Sequence, residues 1–239
     1  MDTMILTMLG VNGPYPSPKG ACSGYLLTSD SGRTKILIDC GSGVLGRLLN
    51  ECTVRDLNAV ILTHLHFDHM SDMLPMNYLL QAAGIESLRV LCPQTPDKVR
   101  RILEDGALDL YPMKDITIGE MKIEFLPVSH PVEAYAVRVF CDGKTFVYTS
   151  DTNECDALTL FSNEADLLLA DAGLLRDDWT IKKPHMTPGM CARLARDARA
   201  RMLVLTHINP SYNAEAVLDE AVNDYPEAMV ARAGLRINI

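Results

Sequence analysis

One short polar stretch, residues 63–69, constrains this chain more than any other feature. Its sequence, Thr-His-Leu-His-Phe-Asp-His, places three imidazoles and a carboxylate within seven residues. The stretch follows the apolar run at residues 59–62, which is typical of a buried strand. The loop at the carboxyl end of such a strand is a usual place for a site in α/β proteins. Because imidazole and carboxylate are the common ligands of zinc and related ions, the stretch predicts a metal site.

The spacing within this stretch divides its side chains into two pairs. In a nearly extended segment, alternate side chains point in the same direction. His64 and His66 would therefore bind one metal ion, whereas Asp68 and His69, which lie past the bend, would face a second.

Strand and helix patterns alternate along the whole chain, without a linker or a short repeat. The strand patterns lie at residues 5–9, 22–28, 35–38, 59–62, 88–92, 121–125, 135–140, 144–148, 166–170, 202–205 and 235–239. Helix patterns begin near residues 44, 71 or 72, 95, 187 and 214. The helix that begins near residue 44 places Val44, Leu45, Leu48 and Leu49 on one side. The helix from residue 95 extends to about residue 104, and the helix from residue 187 extends to residue 200. Each half of the chain runs from a β meander to a strand that ends in histidine and then to a helix. We therefore predict a single domain, residues 1–239, with two β-sheets sandwiched between helices.

Charge and cysteine content narrow the partners and the compartment. The net charge is −9 and the isoelectric point is about 5.1, which argues against a general electrostatic contact with nucleic acid or an anionic membrane, although a local positive site or bound metals could still bind phosphate. No stretch approaches the roughly 18 apolar residues of a membrane span, and the N-terminus lacks the pattern of a signal peptide. The seven cysteines include no Cys-x-x-Cys pair, which indicates reduced thiols. We expect a cytoplasmic protein without a membrane partner.

The histidines of the chain all fall where a predicted element ends or begins. There are six: His64, His66, His69, His130, His185 and His207. Asp151 lies at an equally abrupt polar stop, just after the strand pattern at residues 144–148. Two ions about 3.5 to 4 Å apart would share such a carboxylate and a water, lower the pKa of that water and clamp a tetrahedral transition state. Asp151 is therefore the candidate for the carboxylate between two metals.

The order of these residues resembles the metallo-β-lactamase superfamily, and the likeness spans nearly the whole chain. A His-x-His-x-Asp-His signature is followed by a lone histidine, an aspartate and a final histidine, and the segment at residues 37–41, Leu-Ile-Asp-Cys-Gly, is also similar. The resemblance implies a four-layer αββα sandwich with a dinuclear site, usually of zinc and sometimes of manganese or iron. It assigns one metal to His64, His66, His130 and Asp151, and the other to Asp68, His69, Asp151 and His207. Asp39 would then support a ligand histidine.

Within the superfamily, the chain most resembles ribonuclease Z and its small phosphodiesterase relatives. The segment His185-Met186-Thr187 is similar to the His-Ser-Thr loop of that family, and residues 170–173, Ala-Asp-Ala-Gly, are similar to its His-Glu-Ala-Thr loop. The resemblance makes His185 the general acid or phosphate-contacting group and Asp171 its orienting partner. A leaving alkoxide needs a proton, and a histidine held by a carboxylate can supply one near neutral pH.

The chain also departs from ribonuclease Z. Asp171 replaces a glutamate, and Ser211 replaces a basic residue often found near the closing motif. Only 20 residues separate His130 from Asp151, where ribonuclease Z inserts a long flexible arm that grips tRNA. These departures and the negative charge favour a smaller substrate.

We therefore predict a phosphodiesterase that acts on a small phosphodiester, cyclic ones included, through a metal-bound hydroxide, which Asp68 helps to orient or deprotonate. One alternative is hydrolysis of a thioester, a lactone or a β-lactam on the same metals, and another is ribonuclease Z-like processing of RNA 3′ ends. The resemblance also implies a homodimer. The loop at residues 10–20 has three glycines and three prolines; it is either a wall of the pocket or a structural turn.

Overall fold

The chain folds into two β-sheets that face each other and carry helices on their outer faces. The computed structural model describes residues 4–239. The N-terminal stretch that we compared with signal peptides begins in residues 1–3, which lie outside the described residues. The layers are those of an αββα sandwich, so the predicted fold class is confirmed.

The first sheet is built from the N-terminal half of the chain and its last strand. Its strands are β1 (Ile5–Gly10), β2 (Gly24–Thr28), β3 (Lys35–Ile38), β4 (Ala59–Ile61), β5 (Leu88–Leu91), β6 (Leu108–Tyr111) and β14 (Arg236–Asn238). They lie in the order β14-β1-β2-β3-β4-β5-β6. The pairs β3–β4, β4–β5 and β5–β6 are parallel. The interior strand β4 is buried along its whole length, as its continuous apolar run predicts.

The second sheet repeats this plan with the C-terminal half. Its strands are β7 (Ile116–Ile118), β8 (Met121–Pro127), β9 (Tyr135–Cys141), β10 (Lys144–Tyr148), β11 (Leu167–Asp171), β12 (Leu203–Thr206) and β13 (Met229–Val230). They lie in the order β13-β12-β11-β10-β9-β8-β7. The meander β7–β9 is antiparallel, whereas β10–β11 and β11–β12 are parallel. The predicted likeness of the two halves is therefore present.

Within residues 4–239 the structure has seven short α-helices. They are α1 (Val44–Leu48), α2 (Phe67–Met70), α3 (Met73–Ala82), α4 (Asp97–Arg100), α5 (Asp156–Phe161), α6 (Pro188–Asp197) and α7 (Ala214–Ala221). The longest helices have 10 residues, half of the roughly 20 that a bilayer requires. No helix within residues 4–239 could therefore span a membrane.

Three apolar clusters hold the four layers together. The central cluster fills the space between the sheets, where Tyr25 of β2 meets Tyr148 of β10 edge to face with ring centroids 4.9 Å apart. A second cluster joins the first sheet to α1 and α3, and a third joins the second sheet to α5, α6 and α7. Because both sheets are covered on both faces, their loops remain the accessible places for a site.

Several local predictions were wrong at element ends. Helix α1 ends at Leu48, so Leu49 lies past the last turn and its side chain is 47% exposed instead of buried. The helix predicted to extend to residue 104 is the single turn α4 followed by a 3₁₀ turn, and the helix predicted to reach residue 200 ends at Asp197. Strand β6 and helix α5 were not predicted; β6 is an edge strand that carries the exposed Asp109.

Candidate metal centre

Five strands of the two sheets deliver the candidate residues to one edge of the sandwich. Strands β3 and β4 of the first sheet are parallel and end just before Asp39 and Thr63. Strands β10, β11 and β12 of the second sheet are also parallel and lead to Asp151, Asp171 and His207. Because parallel strands present their carboxyl ends at the same edge, residues far apart in sequence meet there.

The backbone turns sharply where three of these strands end. Asp39, Ser150 and His207 have φ angles of 59°, 57° and 57°, in the left-handed region. This region costs a non-glycine residue roughly 1 kcal/mol or more, and such strain is often found at functional sites. The turns redirect the chain from the sheet so that its polar side chains converge.

Three imidazoles form the first half of the site, which we call the imidazole triad: His64, His66 and His130. The Nδ1 atom of His66 lies 3.1 Å from Nε2 of His64 and 3.0 Å from Nε2 of His130. His64 is fully buried, and the other two rings are partly exposed. The ring nitrogens therefore converge on one point that opens toward solvent.

Two carboxylates and two imidazoles form the second half, which we call the carboxylate cluster: Asp68, His69, Asp151 and His207. The Oδ2 atom of Asp151 lies 3.3 Å from Nε2 of both His69 and His207. Oδ2 of Asp68 lies 3.2 Å from Nε2 of His207. All the ligand atoms of this cluster lie within 4.8 Å of one another.

Asp151 lies between the two halves. Its Oδ2 atom is 3.7 Å from Nε2 of His64, in addition to its contacts in the carboxylate cluster. The structure therefore brings all seven predicted metal ligands into one site and places the shared carboxylate where the sequence predicts it.

The two halves differ in the pKa values of their histidines. Burial lowers the pKa of His64 well below its usual value, lowers that of His66 and lowers that of His130 to about 4, so the triad consists of neutral imidazoles at pH 7. Burial acts in the same direction on His69, but the carboxylates of Asp151 and Asp39 outweigh it and raise the pKa of His69 to about 10. Burial and carboxylates oppose each other in the same way at His207, and its pKa lies well above the usual value. The carboxylate cluster thus holds positive charge strongly.

Unsatisfied polar atoms show that these residues fit bound cations. Nε2 of His69 and Oδ1 of Asp151 are buried and find no hydrogen-bond partner within residues 4–239. Burying unpaired polar atoms is costly, and a cation contacting them would remove that cost. In the triad, three neutral imidazole nitrogens point at one another, which is the donor set that zinc and related ions prefer.

A buried carboxylate supports the carboxylate cluster from behind. Oδ2 of Asp39 accepts a hydrogen bond from Nδ1 of His69 at 2.8 Å. The backbone N–H of Thr63 donates to Oδ1 of Asp39 at 2.8 Å, and its hydroxyl donates to Oδ2 at 2.9 Å. Asp39 therefore fixes His69 with Nε2 directed at the site, an arrangement that orients ligand histidines in metalloproteins.

His185 and Asp171 form a second pair beside the metal centre. Nδ1 of His185 donates to Oδ2 of Asp171 at 2.9 Å, and the same nitrogen is 3.8 Å from Oδ2 of Asp151. The His185 ring stacks on that of His207, with centroids 5.0 Å apart. Burial would lower the pKa of His185, but Asp171 outweighs it and raises that pKa.

Backbone amides orient the Asp171 carboxylate. The N–H of Thr152 donates to Oδ2 at 3.0 Å, and the N–H of Gly173 donates to Oδ1 at 2.9 Å. Asp171 is fully buried, so its charge is directed at His185 through a fixed set of contacts. The predicted pairing of these two residues is present.

The loop at residues 10–20 forms part of the cavity wall and also positions a candidate ligand. A Cβ atom added at Gly13 would lie 1.9 Å from Nε2 of His207, so only glycine allows the backbone to approach that ring. Pro14 lines a cavity of about 330 Å³ together with the candidate residues. The exposed ring of Phe67 lines the same cavity.

Sequence reasoning missed the supporting roles of Thr63, Thr152 and Gly13. Thr63 and Thr152 each adjoin a predicted ligand, so their position was the available signal. The requirement for glycine at residue 13 depends on a contact across 194 positions, His207 being far away in sequence. Only its place in a glycine-rich loop pointed to it.

Comparisons with known proteins agree with this geometry. Residues 34–208 match the family model described as beta-lactamase superfamily domain. The chain is 32% identical to the probable metallo-hydrolase YhfI of Bacillus subtilis over 86% of this chain and 87% of that protein. The crystal structure of YhfI, described as a metallo-beta-lactamase fold protein, superposes with a TM-score of 0.93 over 100% of both chains at 30% identity.

More distant similarities extend to other members of the fold. The chain is 25% identical to ribonuclease Z of Methanopyrus kandleri over 99% of this chain and 98% of that protein. A diphosphatase from the PhnP family shares the fold with a TM-score of 0.76 at 20% identity, over 99% of this chain and 98% of that one. From the family match, the similarity to YhfI and the fold, the chain belongs to the β-lactamase superfamily, among its metallo-β-lactamase fold hydrolases.

Proposed function

We propose that this chain is a dinuclear-metal phosphodiesterase that hydrolyses a small phosphodiester, cyclic ones included. The observation that carries the proposal is the His185–Asp171 pair. It lies within 4 Å of the shared carboxylate Asp151, where a proton donor would meet a leaving oxygen. Hydrolysis of a phosphodiester releases an alkoxide that needs such a donor.

The imidazole triad with Asp151 would hold one divalent ion, and the carboxylate cluster would hold the other. We propose zinc, because nitrogen-rich sites of this kind suit it, although manganese or iron would also accept the mixed ligands. When bound, such ions stabilise negative charge on phosphate oxygens and lower the pKa of a coordinated water. The remaining steps belong to side chains of this chain.

Asp68 is the residue suited to accept a proton from the attacking water. Its side chain is 11% exposed and lines the cavity, whereas Asp151 is almost fully buried. Its carboxylate also contacts His207, which fixes its direction. Asp68 therefore orients the attacking water and takes part of its proton as the oxygen approaches phosphorus.

His185 is the residue suited to give a proton to the leaving oxygen. Asp171 accepts the hydrogen bond from Nδ1 and outweighs the effect of burial, so that the pKa of the ring is raised. This shift favours the protonated form that a proton donor requires. Nε2 is then the nitrogen available to substrate. After the phosphorus–oxygen bond breaks, Asp171 stabilises the remaining imidazole in a single orientation.

The size of the cavity supports a small substrate. About 330 Å³ lies at the lower end of the range for small-molecule pockets, and the short segment between His130 and Asp151 provides no extended arm. The relatives named ribonuclease Z and diphosphatase support phosphorus–oxygen bond cleavage as the reaction class.

We further propose a cytoplasmic homodimer. The seven free cysteines support the reducing compartment, and the dimer stands on the family resemblance alone.

The test is hydrolysis of bis(p-nitrophenyl) phosphate by protein reloaded with zinc or manganese. Metal-stripped protein and His185→Ala run beside it, with His185→Gln to retain the size of the ring. We expect turnover of bis(p-nitrophenyl) phosphate that requires metal. With the dinucleotide ApA, whose leaving alkoxide needs a proton, kcat should fall by roughly 10² to 10⁴ in both variants, while their metal content stays equal to that of the parent protein.

Two results would direct the search elsewhere. Turnover of thioesters, lactones or β-lactams that survives His185→Ala would support the carboxyl-ester class instead. Cleavage of RNA 3′ ends, with binding that weakens steeply as salt rises, would support a ribonuclease. Absence of phosphodiester turnover with both metals demonstrably bound would overturn the proposal.

A further inference from the structure

Two adjacent lysines stand beside the metal centre without acidic partners. Lys182 and Lys183 are exposed, and neither forms an ion pair or a side-chain hydrogen bond among the residues that the structure describes. In contrast, Lys122 and Lys144 on the strands are paired with carboxylates. The chain has a net charge of −9, so a pair of ammonium groups without acidic partners gives this part of the surface a positive local charge.

These lysines line a groove that continues from the catalytic cavity. The groove holds about 170 Å³ and is also lined by Ser129, His130, Pro131, Asn153, Ile181 and Pro184. His130 and Pro184 line the catalytic cavity as well. The groove therefore lies next to the metal centre, and the two cavities share part of their walls.

Hydrogen bonds fix the segment that carries the lysines. The side chain of Asn153 donates from Nδ2 to the carbonyl of Lys183 at 2.7 Å and to that of Ile181 at 3.3 Å. The N–H of Lys183 donates to the carbonyl of Thr180 at 2.8 Å, and the N–H of Asn153 donates to the carbonyl of Ser129 at 3.1 Å. Asn153 is two residues from Asp151, and Ser129 adjoins His130. Hydrogen bonds thus fix the backbone that carries the two lysines next to residues that adjoin metal ligands.

Neighbouring carboxylates do not neutralise the groove. Glu154 is the acidic residue next to Asn153, and it lies 3.5 Å from the guanidinium of Arg193 instead. Asp178, further along the same loop, accepts a hydrogen bond from Tyr212. Neither carboxylate lines the groove, so Lys182 and Lys183 are the charged side chains of its lining.

We infer that Lys182 and Lys183 form a subsite for a second anionic group of the substrate, a terminal phosphate or a carboxylate next to the scissile phosphodiester. The inference rests on the proposed function and adds a substrate class to it. Two ammonium groups in a groove of this size suit one compact anion, because a long polyanion would need a more extended positive surface. The apolar side chain of Ile181 in the same groove would contact the part of the substrate between its two anions.

Two dinucleotides that differ in one group test the subsite. ApA carries a single phosphodiester, and pApA carries the same phosphodiester and a 5′-terminal phosphate. Dissociation constants are measured by calorimetry on metal-loaded protein that carries His185→Ala, so that the dinucleotides are not consumed during the titration, and initial-rate inhibition constants of the parent protein against bis(p-nitrophenyl) phosphate give a second value. We expect pApA to bind about tenfold more tightly than ApA, as charge-assisted contacts allow.

The variants locate that preference. In Lys182→Ala/Lys183→Ala, the ratio of the two constants falls to within twofold of one, whereas Lys182→Arg/Lys183→Arg retains it. Lys98→Ala/Lys114→Ala removes the same charge from positions that line neither cavity nor groove, and it keeps the ratio of the parent protein. Each ratio compares two ligands on one protein, so a change in metal affinity does not affect it.

Several outcomes would overturn the subsite. They are a ratio near one in the parent protein, a ratio that survives Lys182→Ala/Lys183→Ala, and a ratio that the Lys98→Ala/Lys114→Ala control also abolishes. Failure of the proposed function looks different: neither bis(p-nitrophenyl) phosphate nor a dinucleotide is hydrolysed, while the calorimetric ratio still decides whether the lysines bind the second anion.

Discussion

The imidazole triad and the carboxylate cluster lie side by side, but they are built on opposite principles. The triad consists of neutral rings, two of them partly exposed, and burial lowers their pKa values. The cluster is almost fully buried, but carboxylates outweigh that burial: Asp151 raises the pKa values of both His69 and His207, together with Asp39 at His69 and with Asp171 and Asp68 at His207. One half offers lone pairs to an ion, and the other offers negative charge as well.

The two halves also differ in the hydrogen-bond partners that orient their histidines. His69 in the cluster donates from Nδ1 to the carboxylate of Asp39 at 2.8 Å, whereas His130 in the triad donates from Nδ1 to the backbone carbonyl of Pro184 at 3.3 Å. A carboxylate partner raises the basicity of a ligand imidazole more than a carbonyl does. We therefore expect the cluster to hold its ion more tightly and the triad to exchange its ion more readily with solvent.

The largest effect is expected when the two halves lose the residue that they share. Asp151→Ala removes a carboxylate within 3.7 Å of His64, His69 and His207. We expect the bound metal to fall from two ions per chain to less than one, and phosphodiester turnover to fall on the order of 10³-fold or more. Elemental analysis after gel filtration, together with turnover, measures both.

Two further variants sharpen the result for Asp151. His66→Ala removes a triad ligand only, so one ion should remain bound. Asp156→Ala removes an exposed carboxylate at the start of α5 and should leave both ions in place. Loss of both ions from His66→Ala, or retention of both by Asp151→Ala, would contradict the division of the site into two halves.

The next largest effect is expected in how the metal affinity of each half depends on pH. A proton on His69 competes with a metal ion, and its pKa is raised to about 10, so the affinity of the cluster should rise as pH increases from 6 toward 10. Each displaced proton changes the apparent affinity by about tenfold per pH unit. The pKa of His130 is lowered to about 4, so the affinity of the triad should stay constant above pH 6. Chelator competition at several pH values gives both slopes, and equal slopes would refute the electrostatic contrast.

A smaller effect is expected from the residue behind the cluster. Asp39→Asn keeps the shape of the side chain but weakens the partner of His69 Nδ1. We expect metal affinity at the cluster to fall by roughly 10 to 100-fold, with no change at the triad, which serves as the internal control. An equal loss at both positions would mean that Asp39 acts on the stability of the whole sandwich instead.

How much of the site the sequence could predict depended on how local each contact is. The motif at residues 64–69 is contiguous, so its metal-binding character could be predicted directly from the sequence. His130, Asp151 and His207 come from separate loops, and their positions at strand ends, together with the family resemblance, were enough to place them in the same site. In contrast, the approach of Gly13 to the His207 ring is a contact between remote segments, which no local pattern encodes.

The fold shows the same limit. The central strands were predictable because burial on both faces gives them continuous apolar runs, as in β4 and β11. Helix ends were not, because propensity changes little across them and tertiary packing decides where they stop. Leu49 has the spacing of a buried residue, but α1 has only five residues and ends before it. The edge strand β6 depends on pairing with β5, which its own sequence does not specify.

The smallest predicted effect lies one contact further from the metal. Thr63 gives Asp39 two hydrogen bonds, from its backbone N–H at 2.8 Å and from its hydroxyl at 2.9 Å. Thr63→Val removes the hydroxyl alone, so Asp39 keeps one donor and its contact with His69. The loss of about 1 kcal/mol should weaken the cluster by several-fold, and Thr63→Ser, which keeps the hydroxyl, should not. If the hydroxyl acts only by orienting Asp39, Thr63→Val should cause no further loss of metal affinity in an Asp39→Asn background. Losses of metal affinity that add up in the double variant would show that the hydroxyl also acts separately. The 3.3 Å contact between the Thr63 hydroxyl and Nδ1 of His64 is the candidate for that separate action.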